Sequence, residues 1–266
     1  LPGARGLGTL VAAVGAGLVS TTRSQEPTGF LNRTIAVDGV THRYQVYVPA
    51  EYSRAGRWPV ILFLHGSGER GTDGLLQTST GLGDGIRRHA ERWPVIAVFP
   101  QAPPAHRWHG KVAHLALATL DRTLREFSTD ADRVYLVGLS AGGNGVWNLA
   151  YRYPERFAAL VAVCGWVKPT PERQEAILPP DGRAPYPVVA GRIRSLPTWI
   201  WHGADDSVVS VGESRRMAEA LRSAGAEVVY TELAGVGHEA WTPAFDSPGL
   251  PRWLLAQVRP RAAAPR

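Results

Sequence analysis

Hydrophobic and polar positions change their period several times along the chain. In residues 32–49, NRTIAVDGVTHRYQVYVP, the two kinds alternate on both sides of Asp38-Gly39. That is the pattern of two antiparallel strands joined by a two-residue turn. Later come the apolar, β-rich runs PVILFLHG, PVIAVFPQ, RVYLVGLS, FAALVAVCG, LPTWIWHG and EVVYTEL, largely bounded by Gly or Pro. Continuous apolar runs predict strands covered on both faces, as in a parallel sheet. Between them the spacing turns helical: Leu117, Leu120, Leu124 and Phe127 share one face of HLALATLDRTLREF, and Met217, Ala220, Leu221 and Ala224 share one face of GESRRMAEALRSAG. The alternation predicts an α/β fold, a mostly parallel twisted sheet with helices on both faces, opened by an antiparallel hairpin. No internal repeat interrupts it, and one domain over residues 30–266 accounts for the pattern.

Two segments depart from this rhythm. Residues 165–196 are proline-rich without a clean period, which predicts an insertion above the sheet acting as a lid or pocket wall, or a solvated loop. Residues 1–29 hold an early Arg5, a short apolar stretch rich in small residues, and then a polar segment. This order resembles a secretory signal peptide lacking its start, followed by a linker, and the apolar stretch is too short to span a membrane. A loose leader or a first helix is the alternative. The signal reading predicts a secreted or periplasmic protein with no stable membrane insertion.

Composition narrows the chemistry. The 266 residues are 44% hydrophobic and include nine Trp, enough for a full core. The net charge of +6 is spread over single residues rather than runs, which reads as solubility and predicts no nucleic-acid partner. A single cysteine, Cys164, excludes an internal disulfide and a cysteine-rich metal site, and its apolar setting predicts a buried small hydrophobe.

The candidate chemistry begins at Gly138-Leu139-Ser140-Ala141-Gly142, where a buried strand runs into a helix. A sharp strand-to-helix turn strains its central residue and crowds its neighbours, which small residues relieve; the serine hydroxyl then projects above the strand ends. A serine nucleophile needs a base and a group that orients the base. Of the eight histidines, His238 lies in a loop after the last predicted strand, downstream of the serine. Asp205 and Asp206 follow another strand end, and Asp206 is the preferred acid, an ordinary acidic turn cap being the alternative. His65-Gly66-Ser67-Gly68 ends a third strand, and the amides of Ser67 and Ala141 are the expected oxyanion donors. His65 reads as structural, and Glu69 and Arg70 are expected to brace this loop by ion pairing.

Taken together, LFLHGSGERG, FPQAP with HRW, the segment around VGLSAGG, WIWHGADDSVVS and GHEAWTPAF resemble the α/β-hydrolase carboxylesterases related to dienelactone hydrolase, feruloyl esterases and secreted poly(hydroxyalkanoate) depolymerases, in the branch often labelled predicted peptidases. The resemblance spans roughly residues 30–258. It implies an α/β-hydrolase fold, and its strand-end motif His-Gly-x-x-Asp-x-x-Val-Pro puts the catalytic acid on Asp206. Ser210 replaces the usual proline, and Trp166 stands where a small residue is common.

These readings predict a serine carboxylesterase that works through an acyl-enzyme on short-acyl, aryl or feruloyl-type esters, small or polymeric, with no metal or organic cofactor. Trp108, Trp166 and Trp241 are expected at the substrate rim, where flat rings stack on aromatic or sugar-linked groups. Trp147 and Trp253 read as core. A polyester depolymerase or serine peptidase using the same triad is one alternative. A non-catalytic binding module on a hydrolase scaffold is another.

Overall fold

Asp38 and Gly39 both take positive φ, 50° and 77°, and close the hairpin between β1 (Gly29–Val37) and β2 (Val40–Val48). The computed structural model describes residues 26–168 and 184–259. The stretch read as a signal peptide and the centre of the 165–196 segment lie outside the described residues.

Beyond the hairpin, the predicted strands appear as β3 (Trp58–Leu64), β4 (Ile96–Pro100), β5 (Thr129–Leu139), β6 (Ala159–Val163), β7 (Thr198–Gly203) and β8 (Val228–Leu233). They form one eight-stranded sheet in the order β1-β2-β4-β3-β5-β6-β7-β8. The β1/β2 and β2/β4 pairings are antiparallel and the rest are parallel.

Side chains alternate across the sheet, so each parallel strand feeds two cores. Leu62, Leu64 and Leu136 face one core, closed by α2 (Gly110–Glu126), α3 (Ala141–Arg152), α4 (Pro185–Ile193) and α5 (Gly212–Ser223). Ile61, Phe63 and Val137 face the other, under α1 (Leu82–Arg88), α6 (Trp241–Asp246) and α7 (Gly249–Leu255). Burial on both faces matches the apolar runs that form β3 to β7, whereas EVVYTEL, also expected to be covered on both faces, forms the edge strand β8, in which no residue is fully buried because no further strand pairs with it. Trp147 is core as predicted, and Trp253 packs partly buried against the second core. No helix among the described residues is long and apolar enough to cross a membrane.

The 165–196 segment is described only at its two ends, and residues 185–193 form a helix packed on the sheet, neither a lid nor a solvated loop. Tyr186, Val189, Ala190 and Ile193 are all buried and form the inner face of α4. Pro185 opens that helix at a position where its missing N–H costs nothing.

The strand order also fixes where a site can form. It reverses at β3, which has β4 on one side and β5 on the other, so the chains leaving β3 and β5 diverge to opposite faces. Such a switch point opens a crevice above the carboxyl ends of the strands. Leu64 and Gly138 are in register there, which brings the segments after them together.

Candidate active site

Ser140 joins β5 to α3 with φ 50° and ψ −115°, a conformation that a side-chain-bearing residue adopts only when its surroundings hold it. Its N–H donates to Val163 O (2.8 Å) and its carbonyl accepts from Asn144 N (3.0 Å), so the turn is pinned on both sides. The tight packing explains the flanking glycines. A Cβ on Gly138 would lie 2.4 Å from Gly142 O, and one on Gly142 would lie 1.8 Å from Leu64 O. Gly142→Ala is therefore expected to cost about 3 kcal/mol or more in urea unfolding, because backbone must move to admit the methyl. Gly191→Ala, on an open face of α4, should leave stability unchanged or raise it by up to about 1 kcal/mol.

Four strand ends bring the predicted residues together. The Ser140 hydroxyl, after β5, donates to His238 Nε2 at 2.9 Å. His238, after β8, donates from Nδ1 to Asp206 Oδ2 at 2.7 Å. An ionised carboxylate only accepts, so Nδ1 carries the ring proton and Nε2 is left to accept. The side chain of Asp206, after β7, is wholly buried, whereas the His238 ring is 17% exposed. Burial alone would raise the Asp206 pKa. Hydrogen bonds from His202 and His238 and from the amides of Val209 and Val208 outweigh it and hold the carboxyl well below the usual range. Both amides reach Oδ1 at 2.8 Å. Asp205 does not join this cluster; its amide donates to Val236 O.

Sequence reasoning passed over His202. This ring is buried, and its Nε2 faces Asp206 Oδ2 at 3.1 Å and Val209 O at 3.0 Å. Two acceptors there require Nε2–H, so Nδ1 accepts from the Ser214 hydroxyl at 2.6 Å. A polar residue at the end of an otherwise apolar strand, four places before the acid, was the available signal.

The loop after β3 supplies the near wall. Ser67 lines the cleft, and Ala141, as the first residue of α3, has an N–H with no acceptor inside the helix. The expected Glu69–Arg70 ion pair is not what braces this loop. Arg70 Nε instead donates to Ser67 O at 2.8 Å, and Gln101 Nε2 donates to Glu69 O at 3.1 Å. Burial raises the pKa of the Glu69 carboxyl.

His65 is structural, as expected. Its Nε2 accepts from Ala102 N at 2.9 Å, and its Nδ1 lies 2.6 Å from Gly66 O. Burial pushes its pKa down to about 4, with Arg70 adding to the fall and the Gly66 contact opposing it. The unfolded chain takes up this proton near pH 6.5 while the native ring stays neutral, so the unfolded state binds more protons between those values. His65 therefore destabilises the fold progressively as pH drops from about 6.5 to about 4, by on the order of 3 kcal/mol. Urea unfolding across that window should show the decline, with a flatter profile in His65→Gln.

The three tryptophans expected at the rim separate. Trp108 is corrected: it is 1% exposed and donates from Nε1 to His65 O at 3.0 Å, packing beneath the loop. Trp166, 2% exposed, still forms part of the cleft wall, with the Arg107 guanidinium 5.9 Å from its ring centre. Trp241 also lines the cleft and meets the His238 ring edge-on at 5.3 Å. The Asn144 side chain accepts from or donates to both flanks: its Oδ1 lies 2.7 Å from His109 Nε2, and its Nδ2 donates to Trp166 O at 2.9 Å. The cleft has a volume of about 310 Å³, with Leu139 and the exposed Val208 adding apolar surface.

Cys164 is buried beneath the cleft, as expected. Cys164, Asp206 and His238 offer atoms within 4.8 Å of one another, a grouping that could hold a cation. Burial raises the thiol pKa, however, which disfavours the thiolate that a metal would need. The facing atoms of Asp206 and His238 are already engaged with each other.

Residues 39–227 match the model of the Esterase family. Feruloyl esterase B of Neurospora crassa is 30% identical over 135 residues, 46% of this chain and 44% of that protein. A protein of Arthroderma benhamiae known as an uncharacterized secreted protein is 23% identical over 76% of this chain and 23% of its own length. The chain thus spans less than half of either curated relative. Among solved structures, a thermostable esterase is 30% identical with a TM-score of 0.72, over 86% of this chain and 63% of that one. A ferulic acid esterase from Anaeromyces mucronatus, at 17% identity, shares the fold with a TM-score of 0.62 over 84% of this chain and 90% of that one.

Proposed function

The chain belongs to the Esterase family, and from that premise we propose that it hydrolyses carboxylic esters of short-acyl, aryl or feruloyl type through a covalent acyl-serine. The observation that carries this reading is the unbroken line of hydrogen bonds from buried Asp206 through His238 to the hydroxyl of a strained Ser140. A serine hydroxyl is a weak nucleophile unless a base removes its proton as it attacks.

Ser140 Oγ attacks the ester carbonyl while His238 Nε2 takes the hydroxyl proton. Asp206 holds the ring in the required tautomer and stabilises the imidazolium. The amides of Ser67 and Ala141 receive the developing oxyanion. Protonated His238 then gives its proton to the departing alkoxide, leaving the acyl-serine. Water attacks that ester as His238 takes its proton, and His238 then returns the proton to Ser140 Oγ as the acyl–oxygen bond breaks, releasing the acid and restoring the serine hydroxyl.

Several features favour small or planar acyl groups. The cleft is modest in volume, and Trp166, Trp241 and Val208 give it flat and apolar walls. The partial similarity to a feruloyl esterase points the same way. Secretion fits the leader-like residues 1–29 and the name of the Arthroderma benhamiae relative.

The test is a substrate panel. p-Nitrophenyl acetate and methyl ferulate should be turned over with kcat/KM at least about tenfold above p-nitrophenyl palmitate, since a short pocket discriminates by chain length. Preference for palmitate, or no ester turnover at all, would count against this assignment.

A further inference from the structure

A second cavity, of about 520 Å³, lies along the same edge of the sheet. One wall is Tyr44 of β2, which pairs with Pro100, the final residue of β4, so the cavity sits toward the carboxyl ends of the parallel strands. In the order β2-β4-β3-β5 it is three strand steps from β5, the strand that Ser140 follows. That separation is about 14 Å across the sheet.

One segment serves both places. Gly66, Ser67 and Glu69 line the cleft beside Ser140, and Asp73, Gly74 and Leu75 line the second cavity. Gln101 ties the two ends of the segment together. Its Nε2 lies 3.1 Å from both Glu69 O and Asp73 Oδ1, and its Oε1 accepts from Gly74 N at 2.7 Å.

The charges around the cavity are unequally matched. Arg33 is held by Glu126 at 2.7 Å, and that pair is neutral. Arg43 and Arg122 are exposed, and no carboxylate among the described residues lies within 4.0 Å of either. Asp73 faces them with its carboxylate already accepting from the amides of Leu75 and Leu76. One positive charge remains in excess. The Tyr44 hydroxyl is buried and makes no hydrogen bond of good geometry; Thr123, Glu126, Arg122 and Arg33 surround it.

We propose that this cavity binds the carboxylate of an acidic sugar, a uronate unit. Arg43 and Arg122 would take the carboxylate, for which planar guanidinium groups are suited. Asp73 and Thr34 would meet ring hydroxyls, and the exposed Leu75 would flank the apolar ring face. The volume lies within the range of small-ligand sites. The single excess charge, with Asp73 alongside, favours a monoanion over a dianionic phosphate.

The experiment is calorimetric titration of the whole protein with D-glucuronate, D-glucose and glucose 6-phosphate at low ionic strength. Glucuronate should bind saturably and at least about tenfold more tightly than either other sugar. The double variant Arg43→Gln/Arg122→Gln should weaken glucuronate binding at least about tenfold, with an unchanged circular dichroism spectrum and melting temperature. Glucose binding as tightly would overturn the anion assignment, and tighter glucose 6-phosphate would overturn the carboxylate. Undiminished binding in the double variant, or no saturation by glucuronate, would overturn the site. Because the readout is heat of binding, it stands or falls separately from ester turnover.

Discussion

Ser140→Ala is expected to lower turnover of p-nitrophenyl acetate by about 10⁴- to 10⁶-fold, the loss seen when the nucleophile of a serine hydrolase is removed. The fold should survive the change. The backbone bonds that pin the turn, Ser140 N to Val163 O and Asn144 N to Ser140 O, do not involve the hydroxyl. Alanine meets the same φ of 50° that serine already bears, so no new strain enters. The variant should therefore melt within a few degrees of the parent while losing nearly all turnover. Loss of both together would point to a structural role for the hydroxyl.

Asp206→Asn should reduce turnover by about 10⁴-fold, because an amide cannot enforce the tautomer that leaves His238 Nε2 free to accept. Here the change also strikes stability. Asp206 accepts at Oδ2 from His238 and His202 and at Oδ1 from two amides. An asparagine must turn its NH₂ toward one of these donor pairs, leaving buried donors without an acceptor. Each such loss costs about 1–3 kcal/mol. The pH dependence has a definite sign. The native carboxyl is held below its ordinary value, so its stabilisation is complete above the unfolded pKa of about 3.9 and is lost as pH falls through the lower native value. Urea unfolding should show the parent's advantage over Asp206→Asn at neutral pH and its shrinkage in acid.

The fold was written plainly in the chain because burial on both faces leaves little room for polar residues in β3, β4, β6, β7 and the second half of β5. The runs PVILFLHG and FAALVAVCG could hardly be anything but covered strands. Ser140, Asp206 and His238 were legible for a related reason. Each follows a strand end on the same edge of a parallel sheet, so chain order alone limits which residues can meet.

What was misread depended on how loops fold back. Trp108 follows a strand within a Pro- and His-containing loop, and sequence distance cannot tell that its indole N–H turns under the loop to His65 O. In α4, Pro185 and Pro187 obscure the helical spacing of Tyr186, Val189, Ala190 and Ile193. His202 was hidden by its position as the last side chain before a glycine. Its part is visible from the partners, Ser214 on one nitrogen and Asp206 on the other.

Whether Ser140 forms the acyl-enzyme is decided by covalent labelling. The protein is treated with an alkyl fluorophosphonate, digested, and the modified peptide located by mass spectrometry. One adduct is expected, on Ser140, formed rapidly in the parent and absent from Ser140→Ala. An adduct on another serine that accompanies retained esterase turnover in Ser140→Ala would contradict it.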